Sequence, residues 1–526
     1  MHRALRPWLG LLAAGTLLVS FIGCTSPVEY FRNGFKVGPN YCPPPAPVAK
    51  HWIDSTDERV RSVSGDICQW WTVFDDPVLN RLVVCAYMQN LSLREAGLRV
   101  LQARALLGIA TGELFPQSQS ASGSYRRSGS NQLFSDQWNF GFSLAWELDF
   151  WGRFRRAVLA AEDQLDSSVA SYDDVLVTLL SDVASNYVRI RTDQERIKLL
   201  RENVIVQTQI SGLTVERFKR GYTGITDLDI EQSKSILKQA EAAIPQLEID
   251  LRQANNRLCI LLGMPPADLE ALIGAGPIPT SPPEVVVGIP ADLLRRRPDV
   301  RRAERDAAAQ AESIGIAESD LYPAFSISGS LGYSANNFPD LFTSQAFTGS
   351  VGPSFNWNIL NYGRIRNNIR YQDARFQELV VVYQNTVLLA QEEVENGLTT
   401  FLRAQERKGL LDESVKAGEN ARGIALRIYE EGKAGFDFNR YAVIEQNLIQ
   451  QQDSWAQARG QIALGLIDVY RALGGGWGIR MLQPVAPDMR PLAPPPEFLP
   501  AGGKPTGVPA KPEELPTPMP NPTDQP

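Results

Sequence analysis

The sequence predicts an α+β membrane protein built from a duplicated helix–strand–strand–helix–helix unit, and three observations predict it. The first is the stretch Gln137-WNFGFSLAWELDFWGRFRR-Ala157, in which Trp138, Phe140, Phe142, Leu144 and Trp146 alternate with Asn139, Gly141, Ser143 and Ala145. Period two marks a strand with one large apolar face and one small or polar face. The second is an internal repeat: Trp146–Arg155 (WELDFWGRFR) is answered by Trp357–Arg366 (WNILNYGRIR), 211 positions later. The third is that no apolar run beyond the N-terminus reaches the ~20 residues of a spanning helix. If the chain enters a membrane, it does so with strands. The alternation by itself fits a core strand of a soluble sheet as well as a lipid-facing one.

The N-terminus reads MHRALRPWLGLLAAGTLLVSFIGC, with Arg3 and Arg6 ahead of an apolar stretch from Leu9 to Ile22. This is the pattern of an export signal over residues 1–23. Its Gly23-Cys24 ending resembles a bacterial lipobox, which makes Cys24 the expected lipidation site and its covalent lipid the one expected attached group. Phe21 departs from that motif, which usually has leucine there. Thr25 after the cysteine fits outer-membrane retention by the same resemblance. Residues 24–69 then read as a lipidated segment and linker, Pro-rich over Val37–Lys50. In an oxidising compartment Cys68 and Cys85, which flank a short connection, could form a disulfide; small buried thiols are the other reading for them and for Cys42 and Cys259.

Composition narrows the function. A net charge of −7 and a pI near 5.3 disfavour a nucleic-acid partner. Two histidines, His2 and His51, argue against a histidine-rich metal site. There is no GxSxG, HExxH or P-loop, and the many acids lie on helical faces where solvation is the default. No catalytic, cofactor-binding or metal site is expected, and the chain does not read as an enzyme.

The repeat has further anchors. Gly221-Tyr-Thr-Gly224 answers Gly432-Lys-Ala-Gly435, and Leu262-Gly263 answers Leu473-Gly474, both at the 211 offset. Glu113-LFP-Gln117 matches Asp320-LYP-Ala324 at 207, which implies a longer hairpin in the second copy. So long a period indicates a duplicated domain, with copies at 70–264 and 291–477, a connection at 265–290 and a Pro-rich, disordered tail at 478–526. In the first copy a helix runs from Asp76 to Gly112, strands follow at 117–127 and 138–146, and a long helix spans Arg153 to Arg220. The second copy gives strands at 324–333 and 347–357 and a long helix from Arg364 to Glu431.

Each long helix covers roughly 100 Å at ~1.5 Å per residue. Val169, Tyr172, Leu176, Leu179, Val183, Tyr187 and Ile190 recur every three or four residues, a seam that packs lengthwise on a neighbour. Among the strands, Phe325, Ile327 and Leu331 alternate with serines, and Val351, Phe355 and Trp357 with Ser350, Gly352, Ser354 and Asn356. The 117–127 strand is the poor member, with Gln119, Ala121 and Gly123 on its nominal apolar face. A sheet in lipid needs closed edges, and four strands cannot close, so spanning strands require oligomerisation.

Four stretches carry a family resemblance. Ile289-PADLLRRRPDVRRAE-Arg305, Glu318-SDLYPAFSISGSLGYS-Ala335, Trp71-TVFDDPVLNRLV-Val84 and Arg471-ALGGGW-Gly478 are similar to motifs of the TolC-like outer-membrane factors, in the lipoprotein branch of OprM and NodT. The resemblance implies a homotrimer whose twelve strands form an outer-membrane barrel, continued by a long periplasmic α-helical barrel. Each long helix is then faced by two shorter ones, for which Ile225–Leu262 and Asp292–Ser319 are available. The implied function is passive conduction of drugs, metals or other toxic solutes. A periplasmic adaptor (membrane-fusion) protein and an inner-membrane transporter, proton-driven or ATP-driven, are the implied partners. The implied location is the outer membrane, lipid-anchored and integral, with the helices in the periplasm. A conduit for protein secretion by an ATP-driven exporter is the alternative. A non-conducting coiled-coil lipoprotein explains the helices but not the duplicated strands.

The family's tip acids map least firmly. Leu228-Asp229-Ile230 with Gln232 resembles the first-copy motif and makes Asp229 a gate candidate, with Asp227 beside it. In the second copy Val443-Ile-Glu-Gln446 matches only loosely, leaving Asp437 and Glu445 as candidates. Thr226-x-x-Asp229 is also a capping box for the helix that starts there, and that reading stands beside the gate.

Overall fold

The computed structural model describes residues 26–63, 65, 67–130, 133–222, 225–431 and 438–481. The export signal, Cys24, Asp437 and the Pro-rich tail beyond 481 lie outside the described residues. In chain order the main elements are α1 (Pro27–Arg32), β1 (Val60–Arg61), α2 (Pro77–Gln89), α3 (Leu91–Gly112), β2 (Ser118–Ser130), β3 (Leu133–Leu148), α4 (Arg153–Lys219) and α5 (Asp227–Leu261). They continue with β4 (Val285–Val286), α6 (Pro298–Ser319), β5 (Ala324–Ala335), β6 (Phe347–Asn356), α7 (Arg364–Glu431) and α8 (Phe438–Ala472). No helix among the described residues is long and apolar enough to cross a membrane.

Both copies build their helix ends alike. Gly152 and Gly363 precede the two long helices with φ of 82° and 83°, and their carbonyls accept the first helical bonds, from Arg156 and Asn367. Gly263 and Gly474, at φ 73° and 72°, close α5 and α8. A side chain is strained at such φ, which is why glycine recurs at these corners. Asp149 adds a cap of its own, its carboxylate accepting the Phe154 and Arg155 backbone N–H groups.

Two expectations need correction here. The single helix read over Asp76–Gly112 is two, broken at Asn90. The Asn90 side chain accepts the Leu93 N–H at 2.8 Å and donates to the Leu261 carbonyl at 2.9 Å, so it caps α3 and docks it on the end of α5. The first hairpin is also longer than its alternation: β2 and β3 pair as far as Ser130 and Leu133. Beyond Trp138 polar residues such as Arg126, Arg127, Asp136 and Ser135 occupy both faces, so the pattern ends before the pairing does.

The chain divides into two compact units, each drawing on both copies. The first takes the N-terminal stretch to Ala46 with 99–170 and 301–386; the second takes 47–98, 171–300 and 387 onward. In the first unit β2, β3, β5 and β6 form one antiparallel sheet in that order. Beneath its strand ends Arg156 is fully buried: it donates to Glu312 at 2.5 Å and to the carbonyls of Val37 and Gly38 at 2.6 and 2.7 Å. That one guanidinium fastens the N-terminal segment onto α4 and α6.

The second unit is a helical bundle with a small parallel bridge between β1 and β4. Its core includes a buried Asp173–Arg480 pair at 2.7 Å. Cys68 and Cys85 stand as thiols rather than as the possible disulfide. Cys85 is buried on the core face of α2, and the Cys68 sulfur lies against Gly478.

Candidate functional site

Register decides which side chains share a face of the four-stranded sheet. Phe140 opposes Tyr333, Phe142 opposes Leu331 and Trp146 opposes Ile327; across the next pair Phe325 opposes Phe355 and Gly329 opposes Val351. Pleating therefore puts Trp138, Phe140, Phe142, Leu144, Trp146, Phe325, Ile327, Leu331, Val351 and Phe355 on one surface. On β2 the weak positions fall opposite the bulkiest ones: Ala121 faces Phe142 and Gly123 faces Phe140. Tyr125 lies against Trp138, the two rings tilted with centroids 4.3 Å apart. Trp357 is a correction. It lies one residue past β6, in the connection to α7, where its indole binds a backbone carbonyl at 2.9 Å.

The opposite surface is hydroxyl-rich. One row, Ser120–Ser143–Ser330–Ser350, crosses all four strands, with Ser120 and Ser143 hydrogen-bonded at 2.8 Å and Ser330 and Ser350 at 2.9 Å. Ser334 donates to Asn139 two rows further on.

Neither surface is buried, although Phe338 and Phe342 of the β5–β6 connection rest on Trp138, Phe140 and Tyr333 at one end of the aromatic face. Among the described side chains of β2, β3, β5 and β6 none is buried; Phe142 is 44% exposed and Phe355 69%. A soluble sheet of this composition would bury its aromatic face, because each such side chain is worth about 1.5–3 kcal/mol removed from water. An exposed apolar patch of this extent marks contact with a membrane or a partner. The outer edges of β2 and β6 also have no neighbour within the sheet.

Of the sequence-derived acids within the described residues, Asp227 and Asp229 open α5 and Glu445 lies in α8, and the structure treats them differently. Asp229 accepts both the Thr226 N–H and the Thr226 hydroxyl at 2.8 Å, the reach-back half of a capping box. Asp227 is exposed. Glu445 is buried, 1% exposed, in the packing of α8 and on no open surface.

Sequence reasoning missed what ties α4 to α7 here. The buried Arg217 donates to the carbonyls of Tyr429 and Glu430, at the C-terminal end of α7, where a cation also meets the negative helix terminus. Its guanidinium lies 4.8 Å from the Tyr429 ring centroid, and the Tyr429 hydroxyl bonds Thr214 at 2.9 Å.

The family model described as "Outer membrane efflux protein" matches residues 82–264 and 289–475, one span per copy. The chain belongs to the outer membrane efflux protein family. It is 31% identical to Nodulation protein T of Rhizobium leguminosarum bv. trifolii, over 76% of this chain and 86% of that protein. It is 27% identical to the probable outer membrane lipoprotein SilC of Salmonella typhimurium, over 89% of this chain and 99% of that one. Among solved structures, the outer-membrane channel OprN superposes with a TM-score of 0.78 at 32% identity, covering 84% of this chain and 99% of OprN.

Membership in this outer membrane efflux family places the chain in the outer membrane and assigns it to export. The Ile289–Arg305 signature is structural in this member. Arg297 is a buried hub that pairs with Asp299 at 2.6 Å and Glu393 at 2.7 Å and donates to the Ala472 carbonyl at 2.8 Å, while Trp477 holds the Arg296 carbonyl at 3.0 Å. The signature thus locks the start of α6 to the end of α8.

Proposed function

We propose that the chain is the outer-membrane channel of a tripartite efflux system, a homotrimer that conducts small toxic solutes passively. The supporting observation is the sheet: an aromatic face and a serine face, neither of them buried, and two outer edges awaiting neighbours. Lipid cannot satisfy open strand edges. Three copies joined edge to edge give twelve strands, with Phe140, Phe142, Leu331, Val351 and Phe355 toward lipid and the serine rows toward water. A channel of this kind has no energy source, so an inner-membrane transporter, proton-driven or ATP-driven, and a periplasmic adaptor supply drive and cargo. In this reading a lipid on Cys24 adds membrane affinity to the insertion that the barrel supplies. Asp229, Asp227 and Asp437 surround the constriction formed where the helical turns meet on the three-fold axis; Asp229 caps α5 in the same conformation. Such a ring favours cations over anions.

The test is direct. The detergent-purified protein is expected to run as a trimer by light scattering and to open ion-conducting channels in planar bilayers. A monomer that stays soluble without detergent contradicts the proposal.

A further inference from the structure

Two facing helices of the second unit carry buried polar atoms that no protein group among the described residues satisfies. On α8, Glu445 is 1% exposed; the Tyr441 hydroxyl lies 3.5 Å from its Oε2, and its Oε1 accepts no hydrogen bond among the described residues. On α4, Gln207 is 5% exposed, and neither its amide nitrogen nor its amide oxygen is bonded among the described residues. Their neighbours fix the register. Asn203 donates to Gln452 at 2.9 Å, while Ile210 packs in one cluster with Tyr441 and Ala442. Gln207 falls between Asn203 and Ile210 on α4, and Glu445 between Tyr441 and Gln452 on α8. Both therefore belong to the same stretch of α4–α8 packing.

The surroundings decide the state of the carboxyl. From α7, Arg422 acts on Glu445, Arg422 and Glu430 act on the neighbouring Tyr441, and Glu419 accepts a bond from Gln452 at 3.4 Å. On α8 itself the titratable neighbour is Tyr441. Gln207 stands on α4 in this stretch, and further along the Ser211 hydroxyl of α4 and the Ser233 hydroxyl of α5 bond each other; amides and hydroxyls do not titrate near neutrality. An ionised carboxylate with a bare oxygen in such a place is costly. Burial raises the Glu445 pKa, with Arg422 opposing it. Protonation turns the bare Oε1 into a donor within a stretch where the Gln207 amide oxygen lacks one.

We propose that Glu445 is a buried proton-binding site: it takes one proton from solvent when α8 packs on α4 and returns it to solvent when the two helices part. Proton concentration then biases the packing of α8 on α4. This goes beyond the channel reading and does not depend on it. The sign follows from linkage: a carboxyl whose pKa is raised in the folded state stabilises fully below its ordinary range, and that contribution is lost as pH rises through the raised value.

The experiment uses the full chain in detergent and compares wild type with Glu445→Gln, a neutral side chain of the same shape, and with Glu419→Gln as a control. Thermal unfolding from about pH 4.5 to about pH 8 is expected to show a Tm difference between wild type and Glu445→Gln that widens with pH, the variant being the more stable at the alkaline end. The Glu419→Gln profile is expected to run parallel to wild type. Infrared spectra over the same pH range give a second readout, the C=O stretch of a protonated carboxyl that disappears in Glu445→Gln. Parallel Tm profiles for wild type and Glu445→Gln, or no protonated-carboxyl band assignable to Glu445, would overturn the proposal. Neither result bears on whether the protein conducts.

Discussion

The Trp357 indole donates to the Leu321 carbonyl oxygen at 2.9 Å, and the Trp146 indole makes the same bond to Leu114 at 3.3 Å. The two tryptophans occupy one position in the duplicated unit and the two leucines another. Each bond ties the end of a hairpin's second strand to the segment that leads into its first, so the duplication survives as a contact as well as a pattern. Replacing Trp357 with Phe keeps the ring and removes the donor. The expected loss is about 0.5–1.5 kcal/mol, and since the two bonds share no partner, Trp146→Phe should add to it nearly independently. Thermal melts of the two single variants and the double variant measure this; strong non-additivity would mean the hairpins are coupled by something other than these bonds.

The cap at Asp229 and the gate proposed for it predict different phenotypes. Thr226→Ala removes a capping partner and should cost stability, on the order of 1 kcal/mol, while leaving conductance alone. Asp229→Asn removes the charge and should also lower the cation preference of single channels. If both variants keep the parent's selectivity and differ only in Tm, Asp229 is a cap and nothing more.

Arg156 offers a test of the first unit. Arg156→Met leaves Glu312 buried without its cation and takes the guanidinium donor from the Val37 carbonyl, while the Gly38 carbonyl keeps the Asn33 side-chain amide at 3.0 Å. Breaking such a pair costs about 3–5 kcal/mol, and making both partners apolar recovers part of it. The expected readouts are a large fall in Tm for Arg156→Met, faster proteolysis of the N-terminal segment, and partial rescue by adding Glu312→Leu. Equal stability of wild type and Arg156→Met would show that the pair is dispensable.

The mature N-terminus is the fourth prediction. Mass spectrometry is expected to find cleavage after Gly23 and an acylated Cys24. An unmodified Cys24, or cleavage at another site, removes the lipid anchor from the account.

Much of this architecture was legible because its signals are local. The glycines at 152, 221, 263, 363 and 474 mark helix ends, and strand faces follow from alternation over nine to eleven residues. What was not legible depends on distant partners. Asn90 breaks a helix because the Leu261 carbonyl waits for its amide, and Arg217 meets Tyr429 across 212 positions of chain; neither leaves a mark in local spacing. Glu445 is different. Tyr441, Glu445, Leu448 and Gln452 recur at intervals of four, three and four, as the α4 seam does, and all four are buried. That spacing placed Glu445 on a packed face, against the loose acidic motif that suggested an open one.

Adjacent residues on β3 test the central claim most directly, because Phe142 and Ser143 point to opposite faces of one sheet. Single cysteines at these positions, reconstituted in planar bilayers, can be treated with a charged, water-soluble thiol reagent while conductance is recorded. The account predicts that Ser143→Cys channels lose conductance on reaction, and that Phe142→Cys channels, like the parent, do not. Block at Phe142→Cys with none at Ser143→Cys, or the absence of any channel from the parent protein, would contradict it.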